Sequence, residues 1–179
     1  MAGESRNRHA WLWAASLAVC ADQISKAYVL IRSAADPGTA VFSFFGGTLS
    51  VTPTRSLTLA SGLLGDWRGP WEGGLLALAA LLIGTAAWFF YRGLAPWERL
   101  NAFALGLLMG GGAGNLLDWF ARGAVIEIVE VGTSERVPWS HFNLADAFIV
   151  VGIFLLATEL LVAEGASRVR ARALDRFEE

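Results

Sequence analysis

Long apolar runs alternate with short polar segments along this chain, at the spacing expected of membrane-spanning helices. Each of four runs approaches the roughly 20 residues that an α-helix needs to cross a hydrocarbon core of about 30 Å. The predicted spans cover residues 10–31, 71–91, 100–120 and 142–162. The first run is too long for the apolar region of a cleavable signal peptide, and it contains Asp22 and Lys26, so we interpret it as a span.

The segment between the first two spans has a different pattern. In residues 38–61 apolar and small polar residues alternate, and Gly46-Gly47 separates two short runs. Alternation with period two indicates strands, and a glycine pair suits a tight turn because glycine tolerates positive φ. We predict a small β-sheet here, lying on the membrane surface. Residues 124–131 are compatible with a strand or with an interfacial helix.

Composition agrees with a membrane protein, since 55% of the 179 residues are hydrophobic and only 17% are charged. Most of the eight tryptophans lie near span ends, as in the aromatic belts of membrane proteins. We therefore predict an all-α membrane protein with four transmembrane helices, a small extracytoplasmic β-sheet and an outer amphipathic loop. It would form one domain over residues 1–179, ending in a cytoplasmic tail at 165–179.

The basic residues predict the orientation of these spans. The N-terminal segment, the turn between the second and third spans and the C-terminal tail share one side, and they hold eight of the fourteen Lys and Arg residues. The positive-inside rule then places both termini in the cytoplasm. A net charge of −2 without a basic patch argues against nucleic acid as a partner. The lone Cys20 rules out a disulfide framework.

Polar side chains recur near the outer ends of three spans, in pairs with helical spacing. These pairs are Asp22 with Lys26, Asn115 with Asp118, and Asn143 with Asp146. Glu127 and Glu130 lie in the outer loop between the last two pairs. Ionisable residues in spans are costly and usually face an interior site. We expect all of these groups to converge in the outer leaflet, where Asp22 and Lys26 fit a structural network and the groups around Asp146 fit a functional site.

Two neighbouring carboxyl groups can perform acid–base chemistry, because one keeps its proton while the other ionises. An ionised carboxylate that activates water, beside a protonated one that donates to a carbonyl, is the arrangement of aspartic proteases. His9 and His141 are the only histidines, so we expect no metal site, and we expect no cofactor. A serine nucleophile is disfavoured because Ser25 is adjacent to Lys26 in sequence rather than facing it.

Three segments resemble the lipoprotein signal peptidases, also called signal peptidase II. They are "ADQISK" in the first span, "GGGAGNLLD" in the third and "HFNLADAFIVVG" at the fourth, and the resemblance covers roughly residues 10–162. It implies an intramembrane aspartic endopeptidase of the bacterial inner membrane, with its active site facing the outer leaflet. The implied substrate is a diacylglyceryl-modified prolipoprotein, cut just before its lipidated cysteine, and membrane lipids would surround the protein.

The resemblance also implies roles for individual residues. Asp146 and Glu127 would form the catalytic pair, with Glu127 standing where the family has an aspartate. The residues expected to bind substrate or support the pair are Asp22, Lys26, Asn115, Asp118, Asn143, Arg55 and Ser56. Two further departures are Trp119, in place of an arginine, and Ser56 with Thr58, in place of an asparagine and a glycine.

These departures leave a second function class open. A divergent peptidase would use Glu127 and Asp146 together, whereas a non-catalytic relative would bind a lipidated peptide or a membrane partner. A small transporter is a weaker third alternative, because the chain has no symmetry of broken helices.

Overall fold

Four long helices and a four-stranded sheet make up the part of the chain that the structure describes. The computed structural model describes residues 10–37, 39–56, 72–95, 97–133 and 137–178. The helices are α1 (Ala10–Ala35), α2 (Glu72–Gly93), α3 (Arg99–Arg122) and α4 (Leu144–Glu178). The strands are β1 (Phe42–Phe44), β2 (Leu49–Ser56), β3 (Val125–Thr133) and β4 (Val137–Phe142).

Among the described residues, three helical segments are long and apolar enough to cross a membrane: α1, α3 and residues Leu144–Arg168 of α4. They overlap the first, third and fourth predicted spans, with ends that differ by up to six residues. The predicted second span coincides with α2, part of whose side chains lie outside the described region, so the four-span arrangement stays a prediction. Large apolar side chains point outward from the helices, as lipid-facing residues do; examples are Trp13, Ile24 and Phe154.

The sheet is antiparallel throughout, with the strand order β1-β2-β3-β4. The predicted turn joins β1 to β2 through a single 3₁₀ turn, in which Gly46 has φ 67° and Gly47 has φ 93°. The ambiguous stretch at 124–131 is strand, because it pairs with β2 on one side and β4 on the other. The predicted outer amphipathic loop was therefore wrong, because strands β3 and β4 occupy most of the segment between α3 and α4.

Small residues let three helices approach closely. Gly106, Gly110 and Gly114 all face α1, and a Cβ atom added at Gly110 would lie 2.6 Å from the Ala15 carbonyl oxygen. Gly111 faces the first turn of α4, and Gly152 of α4 faces Ala104. These contacts make α1 parallel to α3, and α4 antiparallel to it. The glycines at every fourth position of α3 therefore form a small-residue seam that packs against α1.

The sheet closes one end of this helix packing. Val29 of α1 packs against Ile126 and Ile128 of β3 in one buried apolar cluster. A second cluster, formed by Ala14, Ala18 and Leu107, lies within the helices. The junction between the sheet and the helix ends therefore becomes a solvent-poor site built from several elements.

We predict that Gly110→Ala destabilises the protein by about 1–3 kcal/mol, because the new methyl group overpacks the α1–α3 contact. Gly112→Ala is the matched control, since a Cβ atom there meets nothing within 4 Å. Alanine also favours helix over glycine, so Gly112→Ala should be neutral or mildly stabilising. Thermal unfolding of both variants in detergent measures the difference. Equal midpoints for the two would contradict the close approach.

Candidate functional site

Lys26, the only lysine of the chain, is fully buried between two carboxylates. Its Nζ atom lies 2.8 Å from Asp22 Oδ2 and 2.7 Å from Asp118 Oδ2. It also donates a hydrogen bond of 3.1 Å to Asn115 Oδ1. An ammonium group has three donors, and each of them has an acceptor here. The predicted Asp22–Lys26 pair is therefore part of a larger buried cluster, which we call the Lys26 cluster: Asp22, Lys26, Asn115 and Asp118.

The two carboxylates of this cluster also bind backbone groups of other elements. The backbone N–H of Ala145, in the first turn of α4, donates to Asp22 Oδ1 at 3.0 Å. The backbone N–H of Ile126, on β3, donates to Asp118 Oδ2 at 3.1 Å. Because Asp22 lies on α1 and Asp118 on α3, the cluster fixes four elements relative to one another.

Gln23 and Arg122 belong to this site, although the sequence reasoning did not assign them. Gln23 Nε2 donates to Asp22, Asp118 and the Gly114 carbonyl oxygen, each at 3.1 Å. Arg122 forms an ion pair with Asp118 and donates to Gln23 Oε1 at 3.2 Å. The spacing of Asp118 and Arg122, four residues apart on one helix, was a signal that could have identified the arginine.

Arg122 bears on the departure at Trp119. The family resemblance places an arginine directly after Asp118, but this chain has Trp119 there, stacked edge-on against Phe120. A guanidinium group still reaches Asp118, from one turn later in α3. In this chain, therefore, an arginine pairs with Asp118 although position 119 is a tryptophan.

Asp146 is held at the start of α4 by two asparagines. Its Oδ1 atom accepts a hydrogen bond of 2.7 Å from Asn115 Nδ2, and its Oδ2 atom accepts one of 3.1 Å from the Asn143 backbone N–H. Asn143 Oδ1 in turn accepts from the Asp146 backbone N–H at 2.9 Å. This reciprocal pair has the geometry of a capping box at a helix N-terminus. The i,i+3 spacing noted in the sequence thus has a local structural cause.

Asn143 also connects Asp146 to the rest of the site. It is fully buried, and its Nδ2 atom donates to Asn115 Oδ1 at 2.9 Å and to the Ile126 carbonyl oxygen at 3.2 Å. Asn115 therefore accepts from both Lys26 and Asn143 while donating to Asp146. A continuous path of hydrogen bonds runs from the buried lysine to the carboxylate of Asp146.

Glu127 approaches the same region from β3 and is half-buried. Burial raises the pKa of its carboxyl group above the ordinary value of 4.5, and the nearby negative charge of Asp146 raises that pKa further. A hydrogen bond from Ser56 and the positive charges of His141 and Lys26 act in the opposite direction on this pKa. The net result is a pKa above the ordinary value, and a carboxyl group whose pKa is raised by burial and by a charged neighbour is typical of functional sites.

The remaining sequence-assigned groups lie outside this arrangement. Alternation along β3 puts Glu130 on the opposite face from Glu127, where Ser50 Oγ donates to it at 3.4 Å. Arg55 is exposed, and its Nη2 atom donates to the Arg122 carbonyl oxygen at 2.8 Å, at the end of α3. Thr58 lies outside the described residues. Across the described chain, no group of three or more His, Cys, Asp or Glu side chains is arranged to hold a metal ion.

Comparison with known proteins identifies the family. The family model described as Signal peptidase (SPase) II matches residues 14–162. The chain belongs to the signal peptidase II family. Membership agrees with the resemblance carried by the three sequence segments, which is thereby confirmed.

Named relatives cover most of the chain. The lipoprotein signal peptidase of Pseudomonas syringae pv. tomato is 32% identical over 161 residues, which cover 89% of this chain and 90% of that protein. The lipoprotein signal peptidase of Pseudomonas aeruginosa is 32% identical over 151 residues, covering 84% and 86%. That of Teredinibacter turnerae is 30% identical over 154 residues, covering 84% and 86%.

Two solved structures share the fold of this signal peptidase II family member. One is a bacterial membrane enzyme determined by the in meso method at 1.9 Å resolution; its TM-score is 0.66 at 23% identity, covering 84% of this chain and 92% of that one. The other, at 2.3 Å resolution, has a TM-score of 0.68 at 23% identity, covering 84% and 87%. At this identity the likeness concerns the arrangement of helices and sheet alone.

We predict that Lys26→Met destabilises the protein by about 3–5 kcal/mol, because two buried carboxylates lose their shared counter-charge. The double variant Lys26→Met/Asp22→Asn should recover part of that loss, since one fewer negative charge is left uncompensated. Thermal unfolding in detergent measures both. A Lys26→Met protein as stable as the unsubstituted chain would show that the cluster does not hold the elements together.

A second prediction follows from the raised pKa of Glu127. Between pH 4.5 and this raised pKa the unfolded chain releases the proton more readily than the folded one, so stability falls as pH increases. Glu127→Gln removes that effect. Its unfolding midpoint should exceed that of the unsubstituted chain by on the order of 2 °C at pH 7.5, and should match it at pH 4.

Glu130→Gln is the control for this experiment, because it removes a carboxylate from the other face of the same strand. The midpoints are measured for all three proteins at both pH values. A Glu127→Gln protein that gains no stability at pH 7.5 would contradict the proton affinity ascribed to Glu127.

Proposed function

We propose that this protein is an intramembrane aspartic-type endopeptidase that removes the signal peptide from diacylglyceryl-modified prolipoproteins, just before the lipidated cysteine. Family membership and relatives named lipoprotein signal peptidase support this activity. The strongest support from the site itself is that Asn143 links the surroundings of Glu127 and Asp146. Its Nδ2 atom donates to the carbonyl oxygen of Ile126, the neighbour of Glu127 on β3, and its backbone N–H donates to Asp146 on α4 at 3.1 Å. The charge of Asp146 also contributes to the raised pKa of Glu127. The two residues are 19 positions apart in sequence, on different elements.

The two carboxyl groups differ in their surroundings, which suits different roles. Asp146 accepts hydrogen bonds on both oxygens, and these donors compensate a negative charge. Glu127 has one hydroxyl donor, from Ser56, and burial favours its neutral form. We therefore assign Asp146 as the ionised base and Glu127 as the proton donor.

In this scheme Asp146 takes a proton from a water molecule as the water oxygen bonds to the scissile carbonyl carbon. Glu127 gives its proton to the carbonyl oxygen, which avoids a free oxyanion. Collapse of the tetrahedral intermediate breaks the C–N bond, and the proton held by Asp146 passes to the departing amine. Glu127 regains its proton from the collapsing hydroxyl group, so both carboxyl groups return to their starting states.

The supporting residues act through these two groups. Asn115 and Asn143 orient Asp146, while Ser56 orients Glu127. Asp22, Lys26 and Asp118 hold the helices and β3 in register, and Arg55 fastens β2 to the end of α3. Enzymatic rates depend on such positioning, because a misplacement of about 1 Å can reduce a rate on the order of a hundredfold.

The proposed location is the bacterial inner membrane, with four spans, both termini in the cytoplasm and the carboxyl pair facing the outer leaflet. The exposed apolar side chains of the helices favour contact with membrane lipids. A site at the outer ends of the helices suits a substrate whose diacylglyceryl group is anchored in that leaflet.

A non-catalytic relative that binds a lipidated peptide or a membrane partner is the second candidate. One observation favours it: the hydrogen bond from the Asn143 backbone to Asp146 belongs to a helix cap, which needs no catalytic role. Replacement of the family's aspartate by Glu127 also favours the non-catalytic alternative.

We predict that Asp146→Asn abolishes cleavage of a lipidated prolipoprotein, with a loss of at least about a hundredfold, because an amide cannot exchange a proton with water as a carboxyl group does. Glu127→Asp should keep or raise activity, since it restores the shorter side chain of the family. Cleavage is followed by gel shift with purified protein in detergent.

Glu130→Gln is the matched control and should cleave like the unsubstituted protein. Cleavage that survives Asp146→Asn would exclude the aspartic mechanism. No cleavage by the unsubstituted chain, together with retained binding of the lipidated peptide and an active control enzyme, would establish the non-catalytic alternative.

A further inference from the structure

An apolar groove lies at the end of the helices opposite to Glu127 and Asp146. It is bounded by the second half of α2, the first half of α3 and the second half of α4, and it encloses about 850 Å³. Its walls include Phe90, Leu105, Leu108, Ile153, Leu156 and Leu160. This volume is within the range of about 300–1,000 Å³ found for ligand sites.

Two acidic side chains interrupt this apolar lining. Glu159 is half-buried against the groove, and its carboxylate has no hydrogen-bond or ion-pair partner among the described residues. Glu98 also lines the groove, where it accepts hydrogen bonds from the Ala95 backbone at 2.6 Å and from Asn101 Nδ2 at 3.1 Å. No Lys or Arg is among the described groove-lining residues. An ionisable group on an apolar helix, unpaired within the fold, indicates a charged ligand.

The packing of α3 on α4 brings these two acids to a similar depth. Gly152 contacts Ala104 and Leu108, and the two helices are antiparallel. Glu159 is seven residues beyond Gly152, and Glu98 is six residues before Ala104, so both lie about two turns towards the same end. The groove is therefore apolar along its length and negatively charged at the end remote from the carboxyl pair.

The distance between the acidic end and the carboxyl pair matches a signal peptide. Glu159 follows Asp146 by 13 residues on α4, which corresponds to about 20 Å at 1.5 Å per residue. A signal peptide has an apolar region of about 7–15 residues after a positively charged N-terminal region. As a helix, that apolar region spans about 10–23 Å. The length of the groove, its apolar lining and its negative charge therefore all agree with a bound signal peptide.

We infer that the groove holds the apolar helix of the substrate's signal peptide, and that Glu159 binds the lysines or arginines of its N-terminal region. This inference rests on the proposed function, because the signal peptide is that of the proposed substrate. Glu159 is thereby a specificity-determining residue remote from the scissile bond. It contributes to binding and not to the chemical step, so the effect falls on Kd and KM while kcat stays constant.

The test uses the full-length protein in nanodiscs of zwitterionic phosphatidylcholine, which adds no net lipid charge. Two fluorescent, diacylglyceryl-modified prolipoprotein peptides differ only in the N-terminal region, which carries either two lysines or two glutamines. The lysine peptide should bind about fivefold more tightly, the order expected of a partly exposed ion pair. Glu159→Gln should remove this preference, and Glu159→Lys should reverse it in favour of a peptide with two glutamates.

Glu164→Gln is the matched control, because Glu164 lies on the same helix but is exposed and paired with Arg168. It should leave the preference unchanged. Equal binding of both peptides by the unsubstituted chain, binding of neither, or a preference that survives Glu159→Gln would overturn the inference. Two other occupants of the groove would also overturn the inference. A second copy of the chain would be detected as a dimer that Glu159→Gln dissociates. Lipid alone would be detected as peptide binding that does not change when Glu159 is replaced.

Cleavage is scored in the same samples, which separates the inference from the proposed function. A chain that prefers the lysine peptide through Glu159 but cleaves neither peptide supports the groove assignment and removes the proposed activity. A chain that cleaves both peptides with equal KM supports the activity and overturns the groove assignment.

Discussion

The ammonium group of Lys26, buried between Asp22 and Asp118, is the interaction on which the other parts of the site depend. Removing such ions from water costs several kcal/mol per ion, and this is offset only when geometry and hydrogen bonding are complete. Here they are complete, since no buried side-chain nitrogen or oxygen among the described residues lacks a partner. The carboxylates also hold backbone N–H groups of β3 and α4, so one buried charge network positions the elements that carry Glu127 and Asp146.

Close helix packing makes this network possible. A Cβ atom at Gly114 would lie 2.8 Å from Asp22 Oδ2, so a larger residue there would displace the carboxylate that Lys26 binds. Glycine at this position gives the polar groups room to meet, while Gly106 and Gly110 hold α1 against α3 along the preceding turns. The small-residue seam and the Lys26 cluster therefore depend on each other. Helix packing sets the distance between α1 and α3, and the ion pairs fix the register of the two helices.

Rigidity and reactivity are divided among different residues at this site. The Lys26 cluster is fully satisfied and buried, which suits a structural role, whereas Glu127 is half-buried on a sheet strand with a raised pKa. A carboxyl group kept in a surrounding that opposes its ionised form lowers stability, and such groups persist mainly where function requires them. At the other end of the helices, Glu159 is a second acidic group that the fold itself does not use.

The sequence by itself determined the positions of three apolar helices, the turn at Gly46-Gly47, the spacing of the polar pairs and the family, because each depends on residues close together in the chain or on local motifs. It did not reveal strand β4, whose last residue, Phe142, was assigned to the following span. Nor did it reveal Gln23 and Arg122 as members of the site. Only the tertiary structure decided these points. It also decided that Asn115 binds Asp146, which lies 31 residues away in sequence. Strand pairing and hydrogen bonds between distant residues depend on how the helices pack, and no local pattern encodes that geometry.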